Sequence, residues 1–197
     1  MERLGVIGGT GLIDMTLGEQ LEAHGLTLVQ RDAVTVETPY GEVPLTCIQL
    51  AHGDVKKELI FLQRHHNDGA PSRPPHMIEH RANMRALFDA GCEAVMAVCS
   101  VGAIPEDFPP GKVALANQYI DFTGHQSTFH DDAAVFTSVT DPFDATLNTA
   151  LESVLRETQG FAANERMHYT YWLAQGPHFE TKAEIDAIDT LGGHMVG

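Results

Sequence analysis

The chain has 197 residues, 43% of them hydrophobic, and a formal net charge of −15 from 12 basic and 27 acidic residues. This length and hydrophobic content indicate one globular domain with a real core and exclude a disordered chain. The acidity is the opposite of what a nucleic-acid binder needs. The three cysteines form no C-x-x-C pair, which argues against a disulfide framework or a structural zinc site. Without a signal segment or an apolar run of membrane-spanning length, we expect a cytoplasmic protein with no membrane partner.

The first half of the sequence is rich in predicted strands. Short β-prone runs cover residues 4–8, 33–38, 44–50 and 58–63, and turn signals separate them at residues 39–41 and 52–54. Helical spacing of apolar residues then predicts a helix over residues 76–90 that ends at Gly91. Its apolar face consists of Met77, Met84, Leu87 and Phe88. The continuous apolar run at residues 93–98 is typical of a buried parallel strand.

The second half of the sequence alternates strands and helices. Strands are predicted at residues 112–116, at residues 168–174 and from residue 195 onward. Asp141 and Pro142 are the predicted N-cap and first residue of a helix. The apolar face of that helix is Leu147, Leu151, Val154 and Leu155. A capping box from Thr181 to Glu184 starts the last helix, and the whole order predicts an α/β fold with a mixed sheet.

A glycine-rich turn follows the first predicted strand. The run Gly8-Gly9-Thr10-Gly11 is of the kind that lets backbone N–H groups approach an anion. The dinucleotide pattern G-x-G-x-x-G fails because Asp14 stands in the place of its third glycine. No Gly-Lys-Ser/Thr follows for a Walker loop. Two interpretations are left, a site for a free anion or a structural turn.

The richest polar segment, residues 64–84, follows the predicted strand 58–63. Arg64 and His65 lie at a strand end, where ligands meet α/β sheets. An arginine beside a histidine can clamp an oxyanion, because the guanidinium is always charged and binds two oxygens at once. The alternative is a loop of solvated charges. The histidines His65, His66, His76 and His80 also raise a metal hypothesis, but the position of the glutamate breaks the H-E-x-x-H pattern, so we expect no metal.

Two later segments carry candidate ligand-binding groups. Ser100 and Gly102 follow a predicted strand, where small residues either leave backbone N–H groups open to a ligand or form an ordinary turn. Glu180 precedes the last helix, and its carboxylate either accepts N–H donors from a purine edge or only favours the helix N-terminus. Phe179 beside it either stacks on a ring or packs in a core.

Taken in order, these stretches resemble the trimeric purine nucleoside phosphorylase and 5′-methylthioadenosine phosphorylase family. The resembling segments are IGGTGL (7–12), ETPYG (37–41), RHH (64–66), PPHMIEHRANM (74–84), AVCSVGAI (97–104), QYIDFT (118–123) and QGPHFET (175–181). They span essentially the whole chain. The resemblance implies a single-domain α/β nucleoside phosphorylase fold over residues 1–197, with a twisted mixed sheet flanked by helices, assembled as a homotrimer.

The reaction that the resemblance implies is phosphorolysis. A purine nucleoside and inorganic phosphate, a co-substrate, give the free base and a sugar 1-phosphate, without a cofactor. By resemblance, the phosphate-binding residues are Thr10, Arg64, His65, Cys99 and Ser100. Phe179 and Glu180 bind the nucleoside by the same resemblance, and the Phe129 region reaches the site of a neighbouring subunit.

The identity of residue 180 bears on base preference. Relatives that prefer 6-aminopurines carry serine there, and those that act on 6-oxopurines carry glutamate, as this chain does. A carboxylate accepts the N1–H of a 6-oxopurine, whereas N1 of adenine is itself an acceptor. We therefore expect inosine, guanosine or 5′-methylthioinosine as substrate. The alternatives are a 5′-methylthioadenosine phosphorylase, a catalytically inactive nucleoside-binding homologue and a nicotinamide-dependent oxidoreductase, which the broken glycine pattern disfavours.

The sequence departs from the family pattern in four ways, one of which is a loop before the RAN segment (81–83) that is two residues longer than in the relatives. His66 stands where the family has glycine after R-H, and Glu79 and His80 replace Asn-Tyr. The chain stops inside an apolar run at Gly197, before the family's later sugar and base residues. We therefore expect a domain that lacks its C-terminal part, and no activity if the polypeptide ends there.

Overall fold

A five-stranded mixed sheet is built from the strand-rich first half of the sequence. The computed structural model, which describes residues 1–9, 18–66, 72–126 and 128–197, has this sheet in the first of two compact units, Met1–Ser100. The strands are β1 (Arg3–Gly8), β2 (Thr27–Thr38), β3 (Gly41–His52), β4 (Val55–Gln63) and β5 (Ala94–Val98). They lie in the order β2-β3-β4-β1-β5, antiparallel from β2 to β4 and parallel from β4 through β1 to β5.

Two tight turns connect the antiparallel strands where turns were predicted. Residues 39–40 join β2 to β3, and residues 53–54 join β3 to β4. Gly53 has a φ of +58°, a left-handed conformation that favours glycine. Strands β2 and β3 are longer than the predicted runs. Their ladder continues through residues 27–32 of β2, which are all exposed, and through residues 41–43 and 51–52 of β3.

The core of the first unit lies between this sheet and the helix α2 (His80–Asp89), while a short helix, α1 (Gly18–Ala23), precedes β2. The buried residues that pack together are Val43, Leu45, Ile60, Leu62, Ala82, Ala86 and Leu87. Each lies on β3, on β4 or on one face of α2. Burial of these apolar side chains is what holds the helix on the sheet.

The apolar face predicted for this helix is wrong apart from Leu87. Met77, Met84 and Phe88 are 61%, 41% and 74% exposed. The helix also begins later than residue 76, because a short 3-10 turn at Pro75–Met77 comes first and the backbone of Ile78 is extended, with φ −69° and ψ 128°. The helix face that meets the sheet therefore carries small alanines, and the larger methionines and the phenylalanine point elsewhere.

Strand β5 confirms the parallel strand predicted at residues 93–98, but the prediction that it is buried is wrong. β5 pairs with β1 along one side and forms an edge of the sheet. Its residues alternate between half-buried and exposed, and Val95 is 37% exposed. An edge strand is covered less completely than a central one, so its apolar composition alone overstated its burial.

A four-stranded mixed sheet forms the second unit, Val101–Gly197. Its strands are β6 (Gly102–Ala103), β7 (Leu115–Asp121), β8 (His168–Leu173) and β9 (Met195–Val196), and its helices are α3 (Ala145–Gln159) and α4 (Lys182–Thr190). The order is β6-β9-β8-β7, with β6 antiparallel to β9 and the other pairs parallel. Phe108, Tyr169 and Met195 form its buried cluster, in which the rings of Phe108 and Tyr169 stack at 4.8 Å.

The bounds of one strand and the start of one helix in the second unit differ from the sequence prediction. β7 covers Leu115–Asp121, whereas the predicted strand was 112–116, so the two share only residues 115 and 116. The later start has a cause in Val113: its N–H donates to Oε1 of Gln159 on α3 at 2.8 Å, and its carbonyl accepts from Nε2 of Gln159 at 3.1 Å. The N-cap of α3 is Asp144, not Asp141 as predicted. The predicted strands at residues 168–174 and from residue 195, and the capping box of α4, are confirmed.

The α/β class with mixed sheets and flanking helices is confirmed. The assignment of residues 1–197 to one domain without its C-terminal part stays a prediction. Within the described residues, no helix combines the length and the apolar character needed to cross a membrane.

Candidate functional site

Three parallel strands of the first unit end at one edge of the sheet. Gly8, the last residue of β1, lies opposite Gln63 of β4 on one side and Val98 of β5 on the other. The residues that follow these strands therefore emerge side by side, as the carboxyl ends of parallel strands do in ligand-binding α/β sheets. The Arg64 N–H donates to the Gly8 carbonyl at 3.0 Å, which ties the first of them to the end of β1.

The Arg64 guanidinium packs against Gly9. A Cβ built on Gly9 would lie 3.2 Å from Nη2 of Arg64 and 3.4 Å from its Cζ, so a side chain there would push the guanidinium away. Among the described residues, the side-chain hydrogen bond of Arg64 uses Nε alone, and neither terminal nitrogen has a partner. A charged fork with two open nitrogens can bind two oxygens of an anion.

His65 holds the orientation of this guanidinium. Its ring is buried, with 9% exposure, and Nε2 accepts from Nε of Arg64 at 3.2 Å. Because arginine can only donate, Nε2 carries no proton. The proton is on Nδ1, which donates to the Arg73 carbonyl at 2.9 Å, while the His65 N–H donates to Oε1 of Gln63 at 2.5 Å. The predicted contact of His65 with phosphate stays a prediction, and the geometry adds an orienting role.

Of the remaining predicted phosphate-binding residues, the structure describes Cys99 and Ser100. Cys99 and Ser100 follow β5 at the same edge, Cys99 half-buried and Ser100 exposed. Thr10 lies outside the described residues. The structure thus brings Arg64, His65, Cys99 and Ser100 to one sheet edge.

The histidine cluster does not form the arrangement that the metal hypothesis assumed. His76 lies in the 3-10 turn and His80 opens α2, so the two do not share a helix. Glu79 between them is the N-cap of α2 and accepts from the Arg81 N–H at 3.2 Å. In the part of the chain that the structure describes, no three potential ligands come together for a metal ion.

The three residues predicted to bind the nucleoside lie in the second unit. Phe179 is 95% exposed and Phe129 is 48% exposed, while Glu180 is half-buried. Among the described residues, the Glu180 carboxylate has no hydrogen bond or ion pair. Phe179 does not pack in a core, so that alternative is wrong for the described chain.

The N-terminus of α4 is capped by Thr181 and Glu184, and the Glu180 side chain takes no part in the cap. Oγ1 of Thr181 accepts from the Glu184 N–H at 3.2 Å, and Oε2 of Glu184 accepts from the Thr181 N–H at 2.7 Å. These bonds from Thr181 lower the pKa of Glu184 below its usual range. Since this reciprocal pair satisfies the N-terminus of α4, the Glu180 carboxylate is left available for another ligand.

Sequence reasoning missed three residues around Arg64 and His65, namely Gln63, Arg73 and Asn83. Gln63 and Arg73 hold His65. Asn83, with 4% exposure, is bonded to His66. Only Asn83 has a signal in the sequence, because it lies at helical spacing from Leu87 on the buried face of α2, where a polar residue needs a partner.

Comparison with known proteins decides the family. Residues 3–197 match the family described as the phosphorylase superfamily. The chain belongs to this superfamily. It is 32% identical, over 98% of its length, to a probable S-methyl-5′-thioinosine phosphorylase of Methanothermobacter thermautotrophicus, and 34% identical, over its full length, to a 6-oxopurine nucleoside phosphorylase of Pyrococcus furiosus. It spans 62% and 70% of the lengths of these two relatives.

The fold of this chain is similar to that of a solved structure. Methylthioadenosine phosphorylase from Schistosoma mansoni, in its ligand-free form, superposes with a TM-score of 0.78 at 25% identity. The match covers the whole of this chain and 72% of the Schistosoma chain. The predicted family resemblance and the fold class are confirmed.

Proposed function

We propose that this protein is a purine nucleoside phosphorylase that acts on 6-oxopurine nucleosides. It converts inosine, guanosine or 5′-methylthioinosine, with inorganic phosphate, to the free base and the corresponding sugar 1-phosphate. The observation that carries the proposal is the Arg64 guanidinium, which packs on Gly9 at an edge where three strands end. A permanently charged fork in that position suits a phosphate dianion.

The phosphate site is assigned to Thr10, Arg64, His65, Cys99 and Ser100. Arg64 supplies the positive charge, and His65 fixes the plane of the guanidinium through the bond to Nε. The Thr10 hydroxyl and the backbone of Cys99 and Ser100 donate to the remaining oxygens. The shared sheet edge of the last four residues supports this assignment.

The nucleoside site is assigned to Glu180, Phe179 and Phe129. The Glu180 carboxylate accepts N1–H of a 6-oxopurine, and the exposed Phe179 ring borders the base and sugar. Phe129 serves the site of a neighbouring subunit in a homotrimer. The support for Glu180 is that helix α4 is capped by other groups, which leaves its carboxylate free of a structural task.

The proposed reaction breaks the bond between C1′ of the sugar and N9 of the purine. The bonding electron pair leaves with the purine, and C1′ takes on oxocarbenium-like character. The phosphate dianion held by Arg64 stabilises this positive charge, and one of its oxygens then bonds to C1′. The proton of monohydrogen phosphate ends on the purine, so atoms and charges balance. Phosphate is thus both nucleophile and electrostatic stabiliser, and the proposed chemistry uses no metal or organic cofactor.

The proposal also covers the binding partners and the cellular location of the enzyme. Its partners are a small nucleoside, phosphate and two further copies of the chain, without a nucleic-acid or membrane partner. The net charge of −15 supports the exclusion of nucleic acid. A cytoplasmic location is supported by three cysteines that carry no disulfide among the described residues.

The test is phosphate-dependent release of the purine base by the purified protein. We expect hypoxanthine from inosine or 5′-methylthioinosine only when phosphate is present, and adenine from 5′-methylthioadenosine at a much lower rate. Faster adenine release would favour a 5′-methylthioadenosine phosphorylase instead. Absence of base release from every nucleoside would favour an inactive homologue, and release without phosphate would contradict phosphorolysis.

A matched pair of arginine variants sharpens this test. Arg64→Met should lower kcat/KM for phosphate on the order of 10²-fold, the effect of removing one group that stabilises a reacting anion. Arg31→Met, at an exposed position on β2 of the same sheet, should leave it unchanged. Equal effects of the two substitutions would contradict the role assigned to Arg64.

A further inference from the structure

The turn that carries Arg64 and His65 is tethered to helix α2 by a side-chain hydrogen bond. Nε2 of His66 lies 2.9 Å from Oδ1 of Asn83, which is 17 residues further along the chain. A carboxamide oxygen only accepts, so the His66 Nε2–H is the donor. The same turn is closed by the backbone, because the His66 N–H donates to the Gln63 carbonyl at 3.0 Å.

The acceptor of this bond is a buried polar group on an otherwise apolar face. Asn83 is 4% exposed, and its neighbours on that face of α2 are Ala82, Ala86 and Leu87. Among the described residues, the buried polar side chains are His65 and Asn83. Each is bonded to the segment that follows β4, so the buried polar groups of the first unit converge on the turn that presents Arg64.

We propose that Asn83 is a positioning residue for phosphate binding, acting through His66 on the turn that presents Arg64. This inference rests on the proposed function. α2 is held on the sheet by buried apolar contacts, and Asn83 transmits that fixed position to the turn. A guanidinium held in place before phosphate arrives loses less conformational freedom on binding. His66 stands where the resembled R-H-G pattern has glycine, so the tether is specific to chains with a donor side chain at this position.

The experiment is a double-mutant cycle read out by phosphate affinity. His66→Gly, Asn83→Ala and the double variant are compared with the unaltered protein for the Kd of inorganic phosphate, by calorimetry, and for KM and kcat. Each single variant should weaken phosphate binding about five- to tenfold, the effect of losing one hydrogen bond with its buried partner. The double variant should be no weaker than Asn83→Ala alone, and kcat at saturating phosphate should change less than about twofold, because the tether does not touch reacting atoms.

Two further variants separate positioning from a general loss of structure. His66→Gln retains an N–H donor on a shorter side chain and should restore part of the lost phosphate affinity. His24→Gly, an exposed histidine of the same unit, should change nothing. If Asn83→Ala does not fold, the His66 variants still test the tether, because His66 is only half-buried.

Three results would overturn the inference. They are unchanged phosphate Kd in His66→Gly, fully additive losses in the double variant, or an equal rise in KM for nucleoside and phosphate. A protein that binds phosphate and releases base while its variants behave normally would contradict only the role of Asn83. An unaltered protein that neither binds phosphate nor releases base would contradict the proposed function itself.

Discussion

At the scale of single residues, Arg64 differs from three other arginines of the chain in its side-chain partner. Arg3, Arg85 and Arg156 each form an ion pair with a nearby carboxylate. Arg64 instead meets the neutral ring of His65, which orients the guanidinium without neutralising it. In a chain with a net charge of −15, the Arg64 guanidinium combines the lack of a carboxylate partner among the described residues with a place where three parallel strands end, and this combination favours an anionic ligand.

Base selectivity should depend on the single carboxylate of Glu180. Glu180→Ser should lower kcat/KM for inosine roughly ten- to a hundredfold, because the bond from N1–H to a charged acceptor is lost. The ratio of inosine to 5′-methylthioadenosine turnover should fall accordingly. The control is Glu157→Ser, an exposed glutamate on α3. Unchanged selectivity in Glu180→Ser would refute the role given to this carboxylate.

At the scale of elements, the start of α3 shows how tertiary contacts choose between two local signals. The sequence Asp141-Pro142-Phe143-Asp144 offers two aspartates as N-cap. Asp144 is the one used, and its Oδ1 accepts from the Leu147 N–H at 2.8 Å. Phe143 stands edge-on to Tyr119 of β7 at 6.4 Å, and this contact ties the residues before Asp144 to the sheet.

A paired substitution tests this assignment. Asp144→Ala should lower the free energy of unfolding by about 1 kcal/mol, the typical loss when an N-cap side chain is removed. Asp141→Ala should change it by less than about 0.5 kcal/mol, as expected for a surface position without a capping bond. Denaturant unfolding of the two variants against the unaltered protein measures both values. A larger loss for Asp141→Ala would show that the helix begins earlier in solution.

At the scale of the whole molecule, we expect the stability to depend on pH through a histidine in the second unit. Nδ1 of His194 accepts from the Thr170 N–H at 3.0 Å, which requires an unprotonated nitrogen. Burial, and then the nearby Arg166 guanidinium, lower the pKa of His194 below its usual value. The folded chain therefore binds the proton less readily than the unfolded chain does. His194 lies directly before β9, so this effect acts on the sheet as a whole.

Acid should therefore destabilise the second unit through His194. With a lowered folded-state pKa, the stabilisation is fully present above the unfolded value of about 6.5 and is lost as pH falls from there through the folded value. Unfolding from pH 7.5 to pH 5 can be followed by the fluorescence of Trp172, the single tryptophan, which lies on β8. His194→Gln should flatten the pH dependence in this range, whereas His24→Gln should preserve it. A stability that rises toward pH 5 would contradict the stated shift.

The candidate site could be predicted from the sequence only in part. Arg64, Cys99 and Ser100 could be predicted as site residues because each follows an apolar run that forms a strand, and ligands bind at strand ends. The residues that hold the Arg64 turn in place could not be predicted, because Asn83 and Arg73 act through hydrogen bonds to residues 17 and 8 positions away. No local periodicity marks such bonds, and backbone carbonyls such as that of Arg73 carry no sequence signature at all.

The family, the order of strands and helices apart from α1 and β6, the tight turn at Gly53 and the capping box of α4 could all be predicted from the sequence. These features depend on residue spacing and on local backbone geometry, which neighbouring residues decide. Three features followed from long-range packing alone: β5 is an exposed edge, Asp144 caps α3 and Arg64 faces a neutral imidazole. Each of these depends on which distant segments pack together, and long-range packing leaves no repeating pattern in a single sequence.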